Sequence, residues 1–282
     1  MRTRGFTLIE LIMVIMITGI IAGSLTVFLR PAIDSYFDTR RRADLTDMAD
    51  TALRRMSQDI RSAVPNSVRS VSATCFQLVP TITGGRYRMA SDTVNDTPAP
   101  LPCTPSANCS APLDVTRATT EFDVLSPMAT APAKDDWVVI GNQNSTDVYT
   151  GTGRAQMSAD PTTPRTSDGL RRIAVASTPF PSGYDGGRFV VVPNATTTIY
   201  YSCSGGILYR GTTNNFATVD STACGTATGA AVVATDVANC TFVYNPNQGA
   251  TQQSGFVWMR IELSRAGESA ALAHGVHVDN TP

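Results

Sequence analysis

The chain has 282 residues, 42% hydrophobic and 16% charged, with a formal net charge of −1. This is enough apolar material to bury a core, which excludes a disordered chain, and so even a balance excludes attraction to nucleic acid through global charge. One lysine, Lys134, and two histidines, His274 and His277, leave few side chains for acid–base or nucleophilic work; no cofactor is expected, and an enzyme is the least favoured class.

The chain opens MRTRGFTLIELIMVIMITGIIAGSLTVFLR. From Leu11 to Leu29 it carries no charge, and at about 1.5 Å per residue that run spans about 28 Å as a helix, close to the hydrocarbon thickness of a bilayer. Arg2 and Arg4 precede it, which predicts a cytoplasmic start and export of everything after the span. A secretory signal would have an apolar region of about 7 to 15 residues and a small-x-small cleavage site. Here the apolar run continues through Ala22-Gly23-Ser24. Glu10, at its edge, is the anomaly. Either it rests at headgroup level or it marks a functional charge, because an unpaired acid in a membrane segment is costly.

Between Ile33 and Val64 apolar residues recur in steps of three and four, among them Tyr36, Leu45, Ala49, Ala52, Met56 and Ile60. That spacing predicts an amphipathic helix. Its polar face mixes Arg40, Arg41 and Arg42 with aspartates, and so reads as a solvated, salt-bridged face, with Asp50 and Arg54 at the favoured spacing. Pro65 ends the helix, and Pro31 predicts a kink or a locally melted turn near Phe28 to Pro31. Counted from Phe6, the whole helix would measure about 85 to 90 Å.

Beyond Asn66 the period falls to two. Strands are predicted at Thr74 to Val79, Glu121 to Leu125, Asp136 to Ile140, Leu170 to Ala176 and Arg188 to Val192. Thr197 to Cys203 and Ile207 to Arg210 flank Ser204-Gly205-Gly206 and read as a hairpin. Thr241 to Tyr244, Gly255 to Leu263 and Ala273 to Asp279 complete the set, while Ser91 to Leu113 and Gly141 to Asp168 read as surface loops. The predicted class is α+β, a long N-terminal helix packed on an antiparallel β-sheet head. Cys75, Cys103, Cys109, Cys203, Cys224 and Cys240 all follow the apolar run, and an even set in an exported segment predicts disulfides of undetermined connectivity. The short Cys103 to Cys109 spacing is compatible with local closure.

Catalytic and metal patterns are weak. Three-residue spacing puts His274 and His277 on opposite faces of a strand, and no G-x-S-x-G elbow accompanies them. Gly151-Thr152-Gly153 and Gly183 to Gly187 lack a following lysine and read as turns rather than phosphate cradles. Asp114 and Asp135-Asp136 lack the spacing of a calcium loop. Trp137, Tyr149 and Tyr184 are either an exposed binding patch or core.

The segment RGFTLIEL resembles the class III signal of type IV prepilins and type II secretion pseudopilins. The resemblance implies cleavage by a prepilin peptidase between Gly5 and Phe6, N-methylation of Phe6, and a role for Glu10 in neutralising the terminal ammonium of a neighbouring subunit during assembly. It also implies a type IV pilin fold divided as leader 1–5, transmembrane and filament-core helix 6–30, amphipathic half 31–64 and β-rich extracytoplasmic head 65–282. PNSVRS, LVPTITGGRYR, IYYSCSGGILYR, NCTFVYNP, WMRIELS and HGVHVDNTP are similar to MshO-type minor pilins of MSHA pili, and more loosely to J-type pseudopilins. Cys103, Cys109 and Cys224 depart from that pattern. The resemblance implies a minor pilin acting in pilus initiation, with other minor and major pilins, an inner-membrane assembly platform and the lipid bilayer as partners. It further implies an inner-membrane, single-pass form with a periplasmic head before assembly and a place on the pilus afterwards. A J-type pseudopilin and a tip adhesin are the alternatives.

Overall fold

The computed structural model describes residues 5–96, 109–182, 186–216, 229–246 and 254–279. In chain order the elements are α1 (Leu8–Arg61), β1 (Arg69–Ser72), β2 (Cys75–Leu78), β3 (Thr83–Arg86), β4 (Ala118–Val124), β5 (Trp137–Val139), α2 (Asp147–Thr150), β6 (Arg154–Gln156), β7 (Arg171–Pro179), β8 (Arg188–Val192), β9 (Thr198–Ser204), β10 (Ile207–Thr213), β11 (Ala231–Ala234), β12 (Val237–Asn245), β13 (Ser254–Arg265) and β14 (Glu268–Asp279). The class is α+β, a long N-terminal helix with antiparallel sheets in the head, consistent with the type IV pilin fold.

α1 has 54 residues, about 81 Å at 1.5 Å per residue. It runs through Pro31 without a break, so no melted turn forms there. Proline removes one donor, whereas melting a turn frees several backbone groups at the end of an apolar run where water is scarce. The expected apolar stripe starts at Ile33, but Ile33, Tyr36 and Phe37 are exposed, and burial begins at Leu45. From there Leu45, Ala49, Ala52, Leu53, Met56 and Ile60 bury the face that meets the head. The two alanines let the helix approach the sheet closely, and the expected Asp50–Arg54 pair forms at 2.6 Å on the opposite face. It is too exposed to add much stability.

That stripe packs against β13, β14 and β11. The sheet β12-β13-β14 and the sheet β1-β2-β9-β10-β11 share this core. Val257, Met259, Ile261 and Leu263 alternate along β13, all fully buried, as period two requires of a strand with one face inward. The Asp59 carboxylate accepts hydrogen bonds from the Tyr201 hydroxyl and from Arg210 Nε, each at 2.7 Å, and ties the helix to β9 and β10. Burial, and then the neighbouring Asp59 carboxylate, push the Tyr201 phenol well above its ordinary pKa, so it remains the donor.

Two hairpins hold this lobe in register. Gly205 and Gly206, both at positive φ, link β9 to β10 as expected from the sequence, and Ala266-Gly267, also at positive φ, link β13 to β14. Both are two-residue turns that match the strand twist. Cys203 of β9 is disulfide-bonded to Cys240 of β12, which joins the two sheets. Cys75 and Cys109 are each engaged in a disulfide as well; Cys103 and Cys224 lie outside the described residues.

The remaining strands form a second core. β3-β8-β5-β6 make one sheet and β4-β7 another. Bridges Met157↔Val175 and Tyr87↔Val124 join them at both sides, with Leu125 N donating to Arg86 O and Arg88 N to Asp123 O. The six strands therefore close in the order β3-β8-β5-β6-β7-β4, around Phe122, Phe189, Ile173 and Val191. Closure removes free strand edges, which an exported head otherwise exposes to pairing with other chains.

This barrel corrects one reading. Gly141 to Asp168, expected as a surface loop, contains α2 and β6, and Val148 and Tyr149 of α2 are buried. The Tyr149 hydroxyl donates to Ser67 O at 2.9 Å, and the ring joins Val64, Val79, Val139 and Val192 in the seam between barrel and helix lobe. Tyr149 is thus core; Trp137 is half-buried against Phe216, and Tyr184 lies outside the described residues. Of Ser91 to Leu113, positions 97–108 lie outside the described residues, while Asp96, Ser110, Ala111 and Leu113 are buried rather than on the surface.

Removing the inter-sheet link by Cys203→Ala with Cys240→Ala opens a loop with a sequence separation of 37. The expected loss is about 2 to 4 kcal/mol. It is measured as a lower urea midpoint of the detergent-solubilised chain, with a slope that is unchanged or steeper because the unlinked chain exposes more surface on unfolding.

Candidate functional site

The first half of α1 presents its apolar side chains outward. Phe6 is 81% exposed and Phe28 78% exposed, and no residue from Gly5 to Tyr36 is buried. By length and composition this helix suffices to cross a membrane. Burying one such side chain is worth about 1.5 to 3 kcal/mol. Leaving more than a dozen in water would therefore cost tens of kcal/mol, more than the whole stability of a typical domain. The segment requires lipid or other helices.

Its polar groups are prepared for that environment. The hydroxyls of Thr18, Ser24 and Thr26 donate to the carbonyls of Val14, Ile20 and Ala22 at 2.6, 2.7 and 2.8 Å. Each is satisfied within its own helix, so none is left bare in hydrocarbon. Gly19 and Gly23 lie four residues apart, and a Cβ added at either would meet nothing within 4 Å. Such spacing leaves one strip of the helix where another backbone can come close. The Gly19 and Gly23 pair is legible in the sequence as two small residues four apart within an apolar run.

Gly5, Phe6 and Thr7 precede the first helical residue. Thr7 is the N-cap residue, and its hydroxyl donates to Glu10 Oε2 at 3.4 Å, while Leu11 N donates to Thr7 O at 3.2 Å. Glu10 is the acidic residue of the first turn, where the helix dipole favours a negative charge. The Thr7-x-x-Glu10 spacing is that of a capping box, but the Thr7 side chain makes no cap bond to a helix amide and reaches the Glu10 carboxylate instead. Arg2 and Arg4 lie outside the described residues.

Several other charge clusters are absorbed by the fold. Arg42 pairs with Glu268 at the tip of the β13–β14 hairpin, where the head first grips α1. On the outer face of the barrel wall, beneath the segment that carries Cys109 and Ala111, Arg172 pairs with Asp123 at 2.7 Å, and Arg165 bridges Asp96 and Asp168, each at 2.8 Å. Burial pushes the Asp96 carboxyl up, but the Ser110 hydroxyl and amide and the Arg165 guanidinium outweigh it and hold it below the usual carboxylate range. Asp114 accepts from Thr116, and Asp136 from Ala133 and Asn194 backbone amides. His274 faces the groove beside α1, whereas His277 packs on Phe256, so the two point to opposite faces as their spacing implies. Gly151 caps α2 and Gly153 follows it, both at positive φ, as turn residues do; of Gly183 to Gly187, only Gly186 and Gly187 are described, also at positive φ.

The profile of the prokaryotic N-terminal methylation motif matches residues 1–26. The chain carries an N-terminal methylation motif. No curated protein and no solved structure matches the chain at a significant level. The motif, the exposed apolar helix and the α+β head support a type IV pilin-like protein. In such a protein the motif implies processing by prepilin peptidase and assembly with other pilins, and the helix suggests membrane anchorage and association with a pilus.

Placing a charge in the middle of the apolar half tests this directly. Ile17→Arg is expected to cost about 2.5 to 3.5 kcal/mol of insertion free energy. The expected readout is a larger fraction of the pilin-like chain released from membranes by alkaline carbonate; an unchanged fraction would argue against a spanning role.

Proposed function

We propose that the chain is a minor pilin, of MshO-like type, that acts in the biogenesis of a type IV pilus through assembly rather than turnover. The observation that carries this reading is the division of α1: one unbroken helix whose C-terminal part buries one face in its own head while its N-terminal half has no partner among the described residues. Before assembly lipid covers that half, with the N-terminus cytoplasmic and the head periplasmic. In the filament other subunits cover it, and Gly19 and Gly23 let a second helix approach.

In this reading prepilin peptidase cuts between Gly5 and Phe6, removing residues 1–5, and Phe6 becomes the N-methylated first residue. The new ammonium is a charge that hydrocarbon disfavours, and so is the Glu10 carboxylate one turn further on. A neighbour's Glu10 opposite that ammonium lets both enter the filament core as a pair. The inner-membrane assembly platform and the other minor and major pilins are the partners. Residues 6–30 form the core helix, 31–64 carry the helix onto the head, and 65–282 form the head. A role as a J-type pseudopilin uses the same interface in a secretion filament.

Mass spectrometry of the mature protein is expected to find N-methylated Phe6 as the first residue. Glu10→Ala is expected to stay in the membrane yet enter sheared filaments at about one tenth of the wild-type level or less, since it leaves one charge unpaired in lipid. An unprocessed N-terminus or normal incorporation would overturn the proposal. Loss of surface pili on gene deletion supports the pilus, and loss of protein export supports the secretion filament.

A further inference from the structure

Where the barrel meets the end of α1, the head has an open hollow of about 400 Å³. Its inner side is apolar, formed by Val64, Val139 and Val190, and its outer side carries Arg86, Arg188 and Ser126. That size and mixture, a mostly apolar wall with a few convergent polar groups, suit a small molecule.

The two arginines are the unusual feature. They stand directly opposite each other in the register of β3 and β8, an arrangement that weakens a sheet through repulsion of like charges. Other arginines of the same lobe are engaged: Arg172 by Asp123, Arg165 by Asp168, Arg88 by the Ser167 carbonyl and Arg154 by the Val148 carbonyl. Among the described residues, neither Arg86 nor Arg188 enters an ion pair.

The surroundings keep the space open. Gly84 lies on this surface of β3, and a Cβ there would stand 2.7 Å from the Phe189 carbonyl oxygen and close on Val190. Ser126 Oγ accepts from Arg86 N at 2.8 Å, which leaves the hydroxyl proton for another acceptor. The result is a concave site with two forked cationic donors, one hydroxyl donor and an apolar back, and with no acidic residue among the described residues that line it.

We infer that this hollow binds a small organic anion, a molecule of sugar size carrying a carboxylate or phosphate, with the anion between Arg86 and Arg188 and the body against Val139 and Val190. Planar guanidinium forks recognise both oxyanions in the same bidentate way. An acidic side chain of another subunit would satisfy the same arginines, but it would not use the apolar depth. The site is separate from α1's exposed half and does not depend on the assembly role.

Isothermal titration of the full chain in detergent micelles tests the inference, with glucuronate, glucose 6-phosphate and uncharged glucose as probes. Saturable binding of at least one anion and none of glucose is expected. Arg86→Gln with Arg188→Gln is expected to weaken it by about tenfold or more, and Val190→Phe, which fills the hollow but keeps both charges, to weaken it comparably. The double variant is expected to melt no lower than the wild type, since it relieves a repulsion. Absence of binding by either anion overturns the inference, as does binding that the double variant leaves unchanged. Loss of the double variant from filaments without any anion binding would assign the arginines to a neighbouring subunit instead.

Discussion

One apolar surface with no partner among the described residues governs this molecule. The helix that begins at Leu8 and ends at Arg61 is a single hydrogen-bonded rod, yet its side chains face two different solvents. Below Leu45 the apolar face is spent on the head; above it, from Phe6 to Phe37, the apolar side chains point away from everything else. Because the hydrophobic effect scales with area removed from water, that exposed half carries more unsatisfied free energy than the head gains by folding. It must be covered from outside. Lipid and sister helices are both apolar, so exchange between them is close to neutral, and small differences in packing and charge pairing can then decide it.

The head is organised around holding the rod. Its first core is the helix stripe and two sheets, locked by the Cys203–Cys240 bond and by Asp59 reaching Tyr201 and Arg210. The barrel has a core of its own and meets the chain just beyond the rod's end, through Val64 and the Tyr149 seam. Buried arginine–aspartate pairs such as Arg172–Asp123 are costly to desolvate and costly to break. They specify how the barrel's loops settle more than they add stability. The barrel is thus free to present its outer face, including the hollow beside β3 and β8, without disturbing the rod.

Much of this was legible in the residues, and the exceptions have physical causes. Gly5, Phe6 and Glu10 stand out because they form a contiguous motif, and β13 and β14 because their alternation is long. β3, spelled Thr-Gly-Gly-Arg, has no apolar residue to alternate, and β6 is only three residues, so neither leaves a periodic trace. Closure of the barrel depends on bridges between Met157 and Val175 and between Tyr87 and Val124, pairings that no local pattern encodes. At Pro31 the melted turn does not form, since the cooperative ladder on either side outweighs one missing donor. The hollow was invisible for a similar reason: its lining comes from five separate stretches of chain around 64, 84, 126, 139 and 188.

The account turns on where the outward half of the rod resides. A benzophenone side chain placed at Ile15 and activated by light in living cells reports its neighbours as covalent adducts. The account predicts adducts with membrane lipid and with helices of other subunits, and none with the chain's own head. Cross-links from Ile15 to the head of the same chain would mean that the rod folds back to cover itself, and would contradict it.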